Sequence, residues 1–226
     1  MPRPVVVWDL PVRLFHWALA LLVVFSFTTG KIGGAWMEWH LRSGYAILAL
    51  LLFRFAWGLV GSDSARFGSF LRGPRAALDY ARATLGGRHP RVPGHNPLGG
   101  WMVLVMLAVL ALQAATGLFS DDEIATQGPL AVKVSNATVS RMSAIHAVNE
   151  WIIAGLVVLH LAAIAIYRVV LRANLVPAML HGRMEVADAV AHGPRLRPTA
   201  LAAVLFALAC AAVYYLVMVF PQAPSP

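Results

Sequence analysis

Residues 142–170 read MSAIHAVNEWIIAGLVVLHLAAIAIYRVV, and the architecture follows from them. The stretch is apolar almost throughout. At a rise of about 1.5 Å per residue it is long enough to cross about 30 Å of hydrocarbon as a helix. Two histidines interrupt it, His146 and His160. They are 14 residues apart, which is about 21 Å along a helix axis. At about 100° per residue, 14 steps make four turns less about 40°, so both imidazoles share one helix face at two depths. An ionisable side chain at membrane depth costs about 2.5 kcal/mol or more, so it marks a functional site by default.

Four more apolar runs of spanning length flank this one, at 12–29, 39–60, 100–119 and 199–220. The 226 residues are 59% hydrophobic and 12% charged, whereas a soluble domain carries about 25% charged residues. Most of the chain therefore has lipid as its solvent. In lipid every backbone polar group must be satisfied within the fold, which leaves helices or closed barrels. Continuous apolar runs without strict alternation exclude the barrel. The first run follows Arg3 and Arg13, yet no A-x-A cleavage pattern ends it. It is read as a retained helix rather than a signal peptide. No internal repeat stands out. Cys210 is the sole cysteine, so an intrachain disulfide, a cysteine-ligated cluster and a C-x-x-C-H thioether attachment are all excluded.

Lysine and arginine orient the spans. With the N-terminal side called A and the opposite side B, 14 basic residues fall at A and four at B, namely Lys31, Arg42, Lys133 and Arg141. The positive-inside rule makes A cytoplasmic. The net charge of +8 is read as this basic rim facing lipid headgroups, with no nucleic-acid partner. Side B carries Asp121, Asp122 and Glu123. Trp8, Trp17, Trp36, Trp39, Trp57, Trp101 and Trp151 lie near predicted span ends, as a headgroup belt would place them. Between spans two and three, Gly73-Pro74 predicts a short surface helix over residues 74–84.

Depth then pairs the histidines. His16 lies near A on span one, and His40 near B on span two. On span four, His146 lies near B and His160 deeper toward A. His16 is expected to meet His160, and His40 to meet His146. Two facing imidazoles at one depth are what a bis-histidine haem needs, and two such haems make a path across the dielectric. Ala20 and Gly44 follow His16 and His40 by one turn and leave room for a ring edge, although ordinary helix packing accounts for either alone. Arg13 and Arg42 either pair with a haem propionate or snorkel to the interface. Asn149 and Glu150 share the face of His146. They are candidates for quinone binding, and Glu150 equally for a pair with Arg42 or Arg141. For Gln113 and Thr116, interhelical bonding is the default. Tyr45 and Trp17 are read as packing or belt residues. His89, His95, His181 and His192 are read as solvated. A lone membrane histidine is often a helix–helix hydrogen bonder, and a di-metal or proton-relay site is the main rival reading.

Several segments resemble the bacterial cytochrome b561 family, which includes the b-type cytochrome subunit of nickel–iron hydrogenases. They are VWDLPVRLFHW at 7–17, WHLRSGY at 39–45, RFAWGLVGS at 54–62, GHNPLGG at 94–100, and the pairs Ile145-His146 and Leu159-His160. The resemblance covers about residues 5–182. It implies a four-helix bundle holding two b haems on His16, His40, His146 and His160, with quinone as the usual lipid-phase partner.

The expected fold is thus all-α. It is an integral membrane four-helix haem-binding bundle over residues 1–182, followed by a linker and a fifth C-terminal transmembrane helix over 183–226. The expected location is the bacterial inner membrane, multi-pass, with a cytoplasmic N-terminus. The expected function is electron transfer through two b-type haems, between the quinone pool and a periplasmic cytochrome or a dehydrogenase or hydrogenase subunit. An electron-transfer subunit is preferred to a stand-alone enzyme. The alternatives are a superoxide:quinone oxidoreductase and a haem-free transporter or scaffold.

Overall fold

The computed structural model describes residues 3–88, 94–186 and 194–222. His89, Arg91 and His192 lie outside them. Among the described residues, five helices are long and apolar enough to cross a membrane. The chain runs β1 (Arg3–Val6), α1 (Leu10–Ile32), α2 (Met37–Val60), α3 (Phe67–Phe70), α4 (Pro74–Leu85), α5 (Pro97–Gly117), α6 (Asn136–Val169), α7 (Val176–His181), β2 (Arg183–Val186) and α8 (Thr199–Tyr214). A π-helical stretch, Tyr215–Val219, continues α8. The expected helical membrane protein with a fifth C-terminal span is what the chain forms. The expected surface helix is α4. It starts at Pro74 behind Gly73, where a proline lacking its N–H costs nothing.

Helix ends follow local chemistry. Asp9 caps α1, its Oδ1 accepting the Val12 N–H at 2.8 Å. Asn96 caps α5 in the same way through Gly99 N at 2.8 Å, with Pro97 as the first helical residue. The α1–α2 turn passes through Gly33 (φ 68°) and Gly34 (φ 56°), a conformation L side chains rarely adopt. At 34 residues, α6 is about 51 Å long, well beyond the hydrocarbon thickness of about 30 Å. Its polar first turns extend past the apolar run.

Two compact units emerge, each drawn from separated segments. The first comprises residues 1–14, 55–106 and 156–202. Here β1 pairs antiparallel with β2, Arg3 opposite Val186 and Val6 opposite Arg183. Gly182 O then accepts the Val7 and Trp8 N–H groups at 2.7 and 3.1 Å. Sequence reading contained no strand, because four-residue segments at distant positions carry no periodic signal. Trp57 is fully buried, its Nε1–H donating to Asp9 Oδ2 at 2.9 Å. Trp8 is buried as well. These two indoles belong to the interior of the unit, which corrects their assignment to the headgroup belt. His95, read as solvated, packs between Trp8 and Phe70, with ring centroids 4.5 and 4.4 Å away.

The second unit comprises residues 15–54, 107–155 and 203–226. Its apolar core joins Ala49 of α2, Leu118 and Leu130 of the α5–α6 connection, and Val213 and Val217 of the C-terminal helix. Phe53 meets Phe206 edge-to-face at 5.9 Å. The fifth span is therefore packed against α2 within this unit through one narrow face. Its other faces expose Val204, Leu208, Tyr214 and Met218.

Candidate functional site

Within the second unit, His40 and His146 face one another. Their ring centroids lie 6.1 Å apart with planes at 86°. His40 Nδ1 is 2.8 Å from Ser26 O on α1, and His146 Nδ1 is 3.0 Å from Gln113 O on α5. A backbone carbonyl only accepts hydrogen bonds, so each Nδ1 carries the proton and each Nε2 keeps a lone pair for another partner. An imidazole whose N–H is tied to a carbonyl while its other nitrogen is available is the usual arrangement of a metal-ligating histidine. Two metal–nitrogen bonds of about 2 Å plus two ring radii of about 1.1 Å come to about 6 Å. The centroid spacing fits two imidazoles on opposite sides of one metal ion.

A cavity of about 400 Å³ lies against these rings, lined by both histidines together with Gly44, Tyr45, Leu110 and Ile153, among others. Its volume falls in the range of small-ligand and cofactor sites. No atom lies within 4 Å of where a Cβ on Gly44 would stand, so this position opens onto space that a planar macrocycle can enter. Among the described residues no cluster of three or more His, Cys, Asp or Glu side chains can hold a metal ion. That disfavours a carboxylate-rich di-metal centre and suits a haem, whose porphyrin supplies the remaining ligands.

The other predicted residues fall as follows. His16 belongs to the second unit, edge-to-face with Trp17 at 5.1 Å, and His160 belongs to the first. Arg13 donates to Leu180 O at 2.5 Å, while its buried Nε has no hydrogen-bond partner. Arg42 is exposed, pairs with Glu38 one turn away and lies 5.2 Å from the Trp39 ring centroid. Glu150 pairs with Lys31, not with Arg42 or Arg141, and the Lys31 ammonium lies 4.8 Å from the Trp151 ring centroid. Asn149 is buried and committed, donating to Val109 O at 3.0 Å and Gln113 Oε1 at 2.7 Å. Its amide locks α6 to α5 beside His146.

Sequence reasoning did not identify Gly30 and Gly117. A Cβ on Gly30 would stand 2.8 Å from His40 Nδ1, and one on Gly117 would stand 3.0 Å from His146 Cε1. It also passed over a polar cluster in the first unit. There Asn96 Nδ2 donates to Tyr167 Oη at 2.7 Å, and Tyr80 Oη is 3.1 Å from the same oxygen.

No curated protein matches this chain, and no solved structure matches it either. The family profile described as prokaryotic cytochrome b561 matches residues 7–182, more than three quarters of the sequence. With facing imidazoles, a cavity beside them and five apolar spans already in place, the conclusion is that the chain belongs to the prokaryotic cytochrome b561 family, membrane proteins that transfer electrons through b-type haem.

Proposed function

We propose that this cytochrome carries electrons between the quinone pool and a redox partner at face B through two b haems, one ligated by His40 and His146 and the other by His16 and His160. The observation that carries the reading is the His40–His146 pair, with its 6.1 Å spacing and both Nδ1 groups tied to carbonyls. The second pair rests on the depth arithmetic of the sequence. When bound, b-type haem would supply a one-electron iron couple, and paired histidines holding it would favour electron transfer over oxygen binding.

The chain's own residues hold and insulate that couple. Ser26 and Gln113 carbonyls orient the imidazoles, Gly44 leaves room for the ring edge, and the apolar lining keeps the surroundings of low dielectric. The unpartnered Arg13 Nε offers a donor to a propionate, whereas the Arg42 guanidinium is held by Glu38. The 14-to-4 charge asymmetry supports a cytoplasmic N-terminus in a bacterial inner membrane, with face B toward the periplasm. Asp121 and Asp122 line the same cavity as His40 and His146. Their negative charge suits a basic periplasmic electron carrier and repels superoxide, which favours the electron-transfer subunit over the stand-alone oxidoreductase.

A reduced-minus-oxidised spectrum with haem extraction tests this. Two bis-histidine b haems per chain are expected. His40→Ala and His146→Ala should each remove one of them, and His16→Ala and His160→Ala the other. Depletion of the same haem by His16→Ala and His146→Ala would show the pairing to be wrong. A folded, colourless protein would end the redox reading altogether.

A further inference from the structure

Two places in the second unit are built alike. On α1, Ser26 is followed by Thr29 and Gly30; on α5, Gln113 is followed by Thr116 and Gly117. Both runs have a residue whose carbonyl accepts, then threonine three positions on, then glycine at the fourth. Both threonines are almost fully buried. Thr29 Oγ1 reaches back to Phe25 O at 2.9 Å and Ser26 O at 3.1 Å. Thr116 Oγ1 reaches Leu112 O at 2.8 Å and Gln113 O at 3.1 Å. In each case the nearer residue's carbonyl, three positions back, also accepts an imidazole N–H from the following span: Ser26 O from His40 and Gln113 O from His146. The following glycine lies against that same ring, within 2.8 Å of His40 and 3.0 Å of His146 measured from an added Cβ. A hydroxyl also stands near each Nδ1, that of Ser26 at 3.3 Å from His40 and that of Thr116 itself at 3.2 Å from His146.

We propose that Thr29–Gly30 and Thr116–Gly117 form two matched imidazole sockets, whose positioning residues fix the tautomer and ring plane of His40 and His146 and so set the potential of the haem between them. The proposal rests on the reading that these two histidines ligate one haem. Glycine inside a helix, as at Gly30, is otherwise a cost, whereas Gly117 closes α5; helix packing alone would explain either by contact with a neighbouring backbone. At Gly30 and Gly117 the atoms met are those of the imidazoles. The threonine hydroxyl and the imidazole N–H share one carbonyl oxygen, so the hydroxyl limits how strongly that oxygen accepts from the ring. The strength of the Nδ1–H bond sets how basic the ligand is, and hence how well it stabilises oxidised iron.

The signs follow. Gly30→Ala or Gly117→Ala pushes the ring off its carbonyl, weakens the bond and should raise the midpoint potential of one haem while leaving the other unmoved. Gly30→Ala should have the larger effect, since its contact is the closer. Thr29→Val removes the competing hydroxyl and should lower that potential, with Thr29→Ser restoring it. The test is potentiometric titration of the purified full-length holoprotein, with the ferric low-spin electron paramagnetic resonance signal as a second readout of the angle between ring planes. Haem content in His40→Ala and His146→Ala is measured alongside. One haem lost in both histidine variants, with the socket variants shifting potential and resonance as stated, supports the proposal. One haem lost in the histidine variants, with Gly117→Ala and Thr29→Val both unchanged in potential and resonance, overturns the sockets alone. Both haems retained in the histidine variants overturns the ligand reading and the sockets with it.

Discussion

Replacing Asp9 separates two tasks that one buried carboxylate performs in the first unit. Its Oδ1 caps α1 at Val12 N, and its Oδ2 accepts the indole N–H of the fully buried Trp57. Losing an N-cap costs about 0.5–2 kcal/mol. Losing a buried hydrogen bond to a charged acceptor costs about 1.5–3 kcal/mol. Asp9→Ala removes both and should destabilise by about 2–5 kcal/mol. Asp9→Asn keeps an oxygen for the cap and turns an amide toward the indole, donor against donor, so it should cost about 1.5–3 kcal/mol. The two losses reach α1 from its first turn, below His16. Denaturant unfolding in mild detergent, followed by far-UV circular dichroism and the Soret band, measures them. Trp57→Phe in the Asp9→Ala background should add less than it does alone, because the shared bond is already gone. An Asp9→Ala protein within about 0.5 kcal/mol of the parent, the range of ordinary surface substitutions, would refute the reasoning.

Gly182 ends α7 at φ 77°, and an added Cβ would stand 2.6 Å from Trp8 O. Gly182→Ala should therefore cost about 1–3 kcal/mol in the same unfolding experiment. In the α5–α6 connection, slight desolvation raises the pKa of Asp122, but backbone N–H bonds from Thr126, Ile124 and Ala125 outweigh it and bring the value from 3.8 to about 2. A depressed carboxylate contributes stability that is complete above its unfolded value and is lost as pH falls through the folded one. The Ile124, Ala125 and Thr126 amide resonances should accordingly move with a midpoint near pH 2 and stay flat in Asp122→Asn.

The spans, the surface helix and the residues of the facing pair were legible because each leaves a mark that needs no coordinates. Apolar runs show lipid exposure, Gly73-Pro74 shows a helix start, and histidines at 40 and 146 stand out against hydrocarbon. The first turns of α6 were not legible, since Asn136, Thr138, Ser140 and Arg141 lower their hydropathy and a hydropathy reading sees only the apolar run. Gly30 and Gly117 escaped where Gly44 did not. Gly44 was sought on the helix of its own histidine, whereas the socket glycines lie on the preceding span. A threonine–glycine pair recurring 87 residues later (29 to 116) is too short to register as a repeat. Trp57 and His95 were misplaced for a related reason. Their partners, Asp9 for one and Trp8 and Phe70 for the other, are far away in sequence, and nothing periodic links such positions.

The pairing of β1 with β2 has a consequence for how the molecule is made. Residues 3–6 leave the ribosome well before their partners at 183–186, which emerge only after four membrane helices have been synthesised. A nascent chain must carry the earlier strand unzipped while those helices are made, and the latch can close only once the later strand has emerged. Pairing over so long a separation is slow to find, which makes the closing of this clasp the natural late checkpoint of assembly.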